Sequence, residues 1–132
     1  MNPMRLLLDT TVLIDALRGR KGRRALLAEC VRAGHTLATT GLNVAEVYAG
    51  LRPNEEAATS AFLDQLNCFD ITAEVGRLGG RLKNQWARRG RTLALVDSVI
   101  AAAAIEHTCT LMTDNERDFP MPGLQKFEMP EG

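Results

Sequence analysis

A chain of 132 residues has the length of one domain and can bury a core without disulfides or a structural metal. Hydrophobic residues make up 45% and charged residues 24%, an ordinary globular mix. Lys plus Arg and Asp plus Glu number 16 each, which excludes a bulk pull on nucleic acid, so any such attraction has to be local.

The elements follow in chain order. Arg5 to Leu8 is a continuous apolar run closed by Asp9 and reads as a buried strand. Thr10-Thr11 then caps a helix over Val12 to Leu17. After a turn at Arg18 to Gly22, Arg23 to Ala33 has helical period, with Leu26, Leu27, Cys30 and Val31 on one face, and Gly34 ends it. Thr36 to Thr40 is a second strand, and Gly41 breaks before a helix from Leu42 to Leu51. Pro53 opens another helix toward Leu66, and Cys68 to Ile71 is a third strand. Thr72 opens a long helix to about Arg89, with Val75, Leu78, Leu82 and Trp86 inward. Gly90 to Thr92 is a loop, and an alanine-rich helix runs from Asp97 to His107. Thr110 to Thr113 is a fourth strand, and Gly123 to Met129 supplies a candidate fifth. Strands alternating with helices predict a parallel sheet covered on both faces.

Cys30, Cys68 and Cys109 have no metal-ligand spacing and read as buried thiols in a reducing compartment. No apolar run approaches the roughly 20 residues of a membrane span. Met1 to Leu8 is too short for a signal-peptide core and is interrupted by Asp9, so the expected location is the cytoplasm.

Four short apolar segments each deliver an acid at or near their end. They are Leu6-Leu7-Leu8-Asp9, Asn43-Val44-Ala45-Glu46, Leu95-Val96-Asp97, and Leu111-Met112-Thr113-Asp114-Asn115 running on to Asp118. The carboxyl ends of strands in a parallel α/β sheet open on one crevice, so acids dispersed over the sequence would meet there. Crowded carboxylates repel and raise one another's pKa, and a divalent cation offsets that repulsion. A metal in an acidic pocket points to phosphoryl-transfer chemistry.

At these residues the chain resembles the PIN-domain family, and within it the VapC-type toxins of toxin–antitoxin pairs. The segments that carry the likeness are Leu8 to Asp15, Asn43 to Val47, Asp97 to Ala102 and Thr113 to Phe119, in family order and spacing. The resemblance implies a single domain over residues 1–132, a three-layer α/β/α fold with a central parallel sheet of four or five strands. It implies a metal-dependent endoribonuclease using Mg²⁺, with Mn²⁺ as substitute, leaving 5′-phosphate and 3′-hydroxyl ends and arresting translation and growth. It also implies a homodimer and a VapB-like antitoxin seated in the active-site groove, with a heterotetramer or larger assembly between them. The family pattern carries over to Asp9, Glu46, Asp97 and Asp118 as catalytic and metal-binding acids, with Thr10, Ser98, Thr113 and Asn115 in support. Asp114 is the weaker contender for the fourth acid, and Asp15 has a structural place.

Substrate contacts have two candidate patches. Arg77, Arg81, Lys83, Arg88, Arg89 and Arg91 make a basic segment with no acid inside it, and Arg81, Arg88, Arg89 and Arg91 are its nominees for RNA phosphates. Arg18, Arg20, Lys21, Arg23 and Arg24 form a second cluster flanking the groove. Trp86 is a core or interface residue by its helical spacing. Gly76 to Gly80 lacks the ending of a phosphate loop and reads as a helix-packing surface. His35 and His107 are isolated, so a histidine-based mechanism has no residues to draw on. The alternative is a catalytically silent PIN-fold module that docks RNA or protein, which the intact acids argue against. A phosphotransferase of the haloacid-dehalogenase kind would need an Asp where Thr11 stands.

Overall fold

A computed structural model of the chain describes residues 2–130. The elements are β1 (Arg5–Leu8), α1 (Thr10–Leu17), α2 (Arg23–Arg32), β2 (Thr36–Thr40), α3 (Gly41–Ala49), α4 (Glu56–Leu63), β3 (Asn67–Phe69), α5 (Ala73–Arg88), α6 (Leu95–Glu106), β4 (Thr110–Met112) and β5 (Gln125–Lys126). The five strands form one parallel sheet in the order β3-β2-β1-β4-β5.

β1 shows why the run Leu6-Leu7-Leu8 has no polar alternation. Leu7 packs with Val75, Ile100 and Leu111 on the face covered by α5 and α6. Leu6 and Leu8 pack with Leu13, Leu27 and Val47 on the face covered by α1 to α4. A parallel strand buried on both faces needs apolar residues at every position. Leu111 and Met112 of β4 divide between the two cores in the same way. The result is the expected α/β/α sandwich, with five strands.

The last turns and caps differ from the sequence reading in instructive places. Asp9, not Thr10 or Thr11, caps α1, its carboxylate accepting from the Thr10 N–H at 2.9 Å. Gly41 is the first residue of α3 rather than a break, because the Thr40 hydroxyl caps that helix. α4 starts at Glu56 and not at Pro53, since Asn54 lies in the left-handed region at φ 71°. Leu95 and Val96 form the first turn of α6 with no strand partner, and Leu95 is 56% exposed. Val31 faces solvent, unlike Leu27 and Cys30 beside it, and Cys68 is exposed on the edge strand β3.

α5 and α6 lie close because of one glycine. A Cβ on Gly79 would stand 2.9 Å from the Val99 Cα, whereas Gly76 and Gly80 have open space. Gly79→Ala should therefore lose about 1–3 kcal/mol of stability in urea unfolding from overpacking. Gly80→Ala should gain about 0.5–1 kcal/mol from helix propensity. Equal effects of the two substitutions would contradict this packing.

Candidate active site

In the strand order, β1 and β4 are the neighbours from which the chain winds in opposite directions, the place where ligands bind in open parallel sheets. Asp9 follows β1 at that point, its N–H donating to the Met112 carbonyl of β4 at 2.9 Å. Its side chain is nearly buried, at 6% exposure. One oxygen accepts from the Thr10 N–H and the other from the Thr113 hydroxyl at 2.8 Å. Asn115 in turn donates its N–H to the Thr113 hydroxyl oxygen at 3.0 Å, so the loop after β4 is hung from the same carboxylate.

Glu46 arrives on α3 and is held by a polar chain that starts inside the protein. The Thr40 hydroxyl donates to the Asn43 side-chain oxygen at 2.6 Å. The Asn43 amide donates to the Thr10 hydroxyl oxygen at 3.1 Å, and that hydroxyl donates to Glu46 at 2.6 Å. Asn43 is fully buried, so its two side-chain bonds replace lost contacts with water. Asp97 enters in the first turn of α6, and Asp118 on a short 3-10 turn, Glu116–Asp118.

These four acids sense one another's charge. Burial raises the Asp9 carboxyl above its ordinary range, against the two hydrogen bonds that stabilise its anion, and Glu46 and Asp118 push it the same way. Burial again leads at Asp97, followed by the charges of Asp9, Asp118 and Glu46, and together they lift it from 3.8 to about 6. The group is open rather than closed: among the described residues no three acidic, His or Cys side chains are already gathered tightly enough to enclose an ion.

Asp114 is drawn elsewhere. Its carboxylate pairs with Arg23 at 2.6 and 3.3 Å, and the Arg23 side chain is 4% exposed. Breaking such a buried pair costs about 3–5 kcal/mol, so Asp114 is a tether between α2 and the loop after β4.

The PIN domain family model matches residues 6–121. The chain belongs to the PIN-domain family. It is 40% identical to Ribonuclease VapC19 of Mycobacterium tuberculosis over 120 residues, 90% of this chain and 96% of that one. It is 30% identical to Ribonuclease VapC10 of the same species over 116 residues, 88% of this chain and 86% of that one. Among solved structures, VapBC2 from Rickettsia felis bound to a DNA fragment from its promoter matches with a TM-score of 0.82 at 25% identity, covering 96% of this chain and 100% of that one. A toxin–antitoxin complex from Klebsiella pneumoniae matches at 0.76 and 27% identity, covering 94% and 99%. These likenesses place this PIN domain in the VapC group.

The remaining sequence nominees divide clearly. The Thr10 and Thr113 hydroxyls orient Glu46 and Asp9. The Ser98 hydroxyl is engaged locally, donating to the Ala94 carbonyl at 3.0 Å at the start of its own helix. Arg81 and Arg88 stand exposed on α5. Arg89 and Arg91 lie over the half-buried Trp86 ring, at 5.1 and 5.9 Å from its centroid. Arg91 also donates to the Arg117 carbonyl, which joins the α5–α6 loop to the turn carrying Asp118. His35 accepts from the Met4 N–H, and His107 stacks on Phe69, so neither approaches the acids. No helix among the described residues is long and apolar enough to cross a membrane. Sequence reasoning missed Asn43 as a link in the site. The signal was present: a polar residue three positions before Glu46 shares its helix face.

The raised Asp97 predicts a specific pH dependence. Below pH 3.8 the group is protonated in folded and unfolded chains alike. As pH rises toward about 6 the unfolded chain releases the proton first, so stability falls through that window and stays lower above it. Asp97→Asn should therefore unfold later than wild type at neutral pH in EDTA, by about 1 kcal/mol once solvent screening of a half-exposed group is allowed for. The gain should shrink toward about pH 4. A variant less stable than wild type at neutral pH would contradict the repulsion.

Proposed function

We propose that the chain is a metal-dependent endoribonuclease, the toxin of a toxin–antitoxin pair. The observation that carries this reading is the meeting of Asp9, Glu46, Asp97 and Asp118, from four separate segments, at the switch point between β1 and β4. The names of the relatives support RNA as the substrate, and the solved toxin–antitoxin complexes support a VapB-like protein partner. By the same likeness we read the protein as a homodimer that acts in the cytoplasm, joins its antitoxin in a larger assembly, and arrests translation and growth when released.

The donor set suits Mg²⁺, with Mn²⁺ as substitute: carboxylate oxygens only, and a mutual repulsion that a cation would relieve. Asp9 and Asp97 would hold the ion, with Glu46 and Asp118 contacting it directly or through water. When bound, such an ion neutralises charge on the scissile phosphate and acidifies water at neutral pH.

The chain's own residues supply the rest. Asp9 is immobilised by Thr10 and Thr113 and forms the floor of the site. Glu46, exposed at the rim and fixed through Thr10 and Asn43, is the carboxylate placed to take a proton from the attacking water. In-line attack then releases the 3′-oxygen and leaves a 5′-phosphate. Thr10 positions both Asp9, through its N–H, and Glu46, through its hydroxyl, and Asn43 acts by orienting that hydroxyl.

Purified protein should cut a labelled single-stranded RNA in Mg²⁺ or Mn²⁺ and stop in EDTA, and Asp9→Asn should be inactive under all three conditions. Asn43→Ala keeps all four acids and should lose about 10–100-fold in rate, as orienting partners of metal ligands do. Undiminished cleavage in EDTA would remove the metal from the reading. RNA binding without turnover in either metal would leave the silent-module alternative in its place.

A further inference from the structure

Beside the carboxylates opens a cavity that the chemistry above does not use, with a volume of about 310 Å³. Thr11, Asp15, Arg20, Lys21, Asp114 and Asn115 line it. Two of its walls are continuous with the acid cluster. Thr11 lies in the same helical turn as the Asp9 cap, and Asn115 hangs from Thr113, which donates to Asp9. A molecule reacting at the acids would therefore extend into this cleft if it were a polymer.

The structure also sorts the basic cluster at residues 18–24. Arg18 pairs with Glu55 at 3.1 Å, Arg23 with Asp114, and Arg24 donates to the Ala16 and Leu17 carbonyls at 3.2 and 3.0 Å. Those three hold the turn in place. Lys21 sits at φ 55°, beside Gly22 at φ 67°, and approaches Asp15 at 3.8 Å with its own side chain 54% exposed. Arg20 is exposed on the cavity wall. Of the acids on the wall, Asp114 pairs with Arg23 and Asp15 with Lys21, which leaves Arg20, among the described residues, as the cation on the wall without a carboxylate partner. The volume is at the low end for small-molecule sites. A phosphate for Arg20, with polar groups at Thr11 and Asn115 for a sugar or base, matches a single-stranded nucleotide.

We propose that this cleft is a nucleotide subsite next to the scissile position, with Arg20 holding a backbone phosphate of the RNA. The proposal rests on the ribonuclease reading for the identity of the polymer. It makes the turn after α1, rather than α5 alone, a determinant of substrate binding.

The test measures binding apart from cleavage. A fluorescein-labelled 12-nucleotide single-stranded RNA is titrated with the full chain in EDTA at several salt concentrations. Arg20→Ala is compared with Arg20→Lys and with Arg32→Ala, an equal charge change at the far end of α2. Arg20→Ala should weaken binding about tenfold and lower the slope of log K against log salt by about 0.7, the loss of one phosphate contact to a single strand. Arg20→Lys should keep most of that slope, and Arg32→Ala should follow wild type. In Mg²⁺ the Arg20→Ala loss should fall on KM rather than kcat. Wild-type affinity and slope in Arg20→Ala, or an equal loss in Arg32→Ala, would overturn the subsite. RNA bound through Arg20 but never cut would remove the ribonuclease reading and keep the subsite; RNA cut normally with Arg20→Ala binding as wild type would do the reverse.

Discussion

Four carboxylates held within one another's field are the constraint around which this molecule is arranged. Left to themselves they would move apart or take up protons, and the raised Asp9 and Asp97 record that tendency. The fold opposes it by giving each acid a separate rigid support: the end of β1, the third helix, the first turn of α6, and the 3-10 turn after β4. Asp9 is the most tightly held, with both oxygens bonded and the strand beneath it buried on both faces. Stability is given up at the site and recovered in the two cores, a common pattern at functional positions.

The surroundings serve the same arrangement. The buried Asn43 links the tip of β2 to Thr10 and so to Glu46, while Arg23 and Asp114 fasten α2 to the loop that carries Asn115 and Asp118. Arg91 ties the α5–α6 loop to that same turn. Three independent ties thus converge on the segments bearing the acids. The arginines of the chain have therefore two occupations: some hold the scaffold, and a few, Arg20 and the exposed Arg81 and Arg88 among them, face outward beside it.

Much of this was legible in the sequence because the signals were local. The unbroken Leu6-Leu7-Leu8 run marks a doubly buried strand, and Thr72 before the long amphipathic helix marks its cap, where its hydroxyl accepts from the Val75 N–H. The four acids stand out in the sequence because each follows an apolar segment or fits a family motif, and the fold brings them within reach of one another's charge. What escaped depended on contacts far apart in the chain. Nothing near Asp114 announces that Arg23, 91 residues earlier, will claim it. Nothing near Gly79, as against Gly76 or Gly80, announces that Val99 will press against it. Val31 shares the period of Leu27 and Cys30, yet is 55% exposed. Helix period gives a face, and tertiary packing decides how much of that face is buried.

The most direct test of a metal-dependent ribonuclease built on Asp9 is in cells. Wild type and Asp9→Asn are induced separately and RNA 5′ ends are sequenced soon afterwards. Discrete new 5′-phosphate ends, with growth arrest, are expected from wild type alone. The same ends from both proteins, or arrest by wild type without new ends, would contradict that reading.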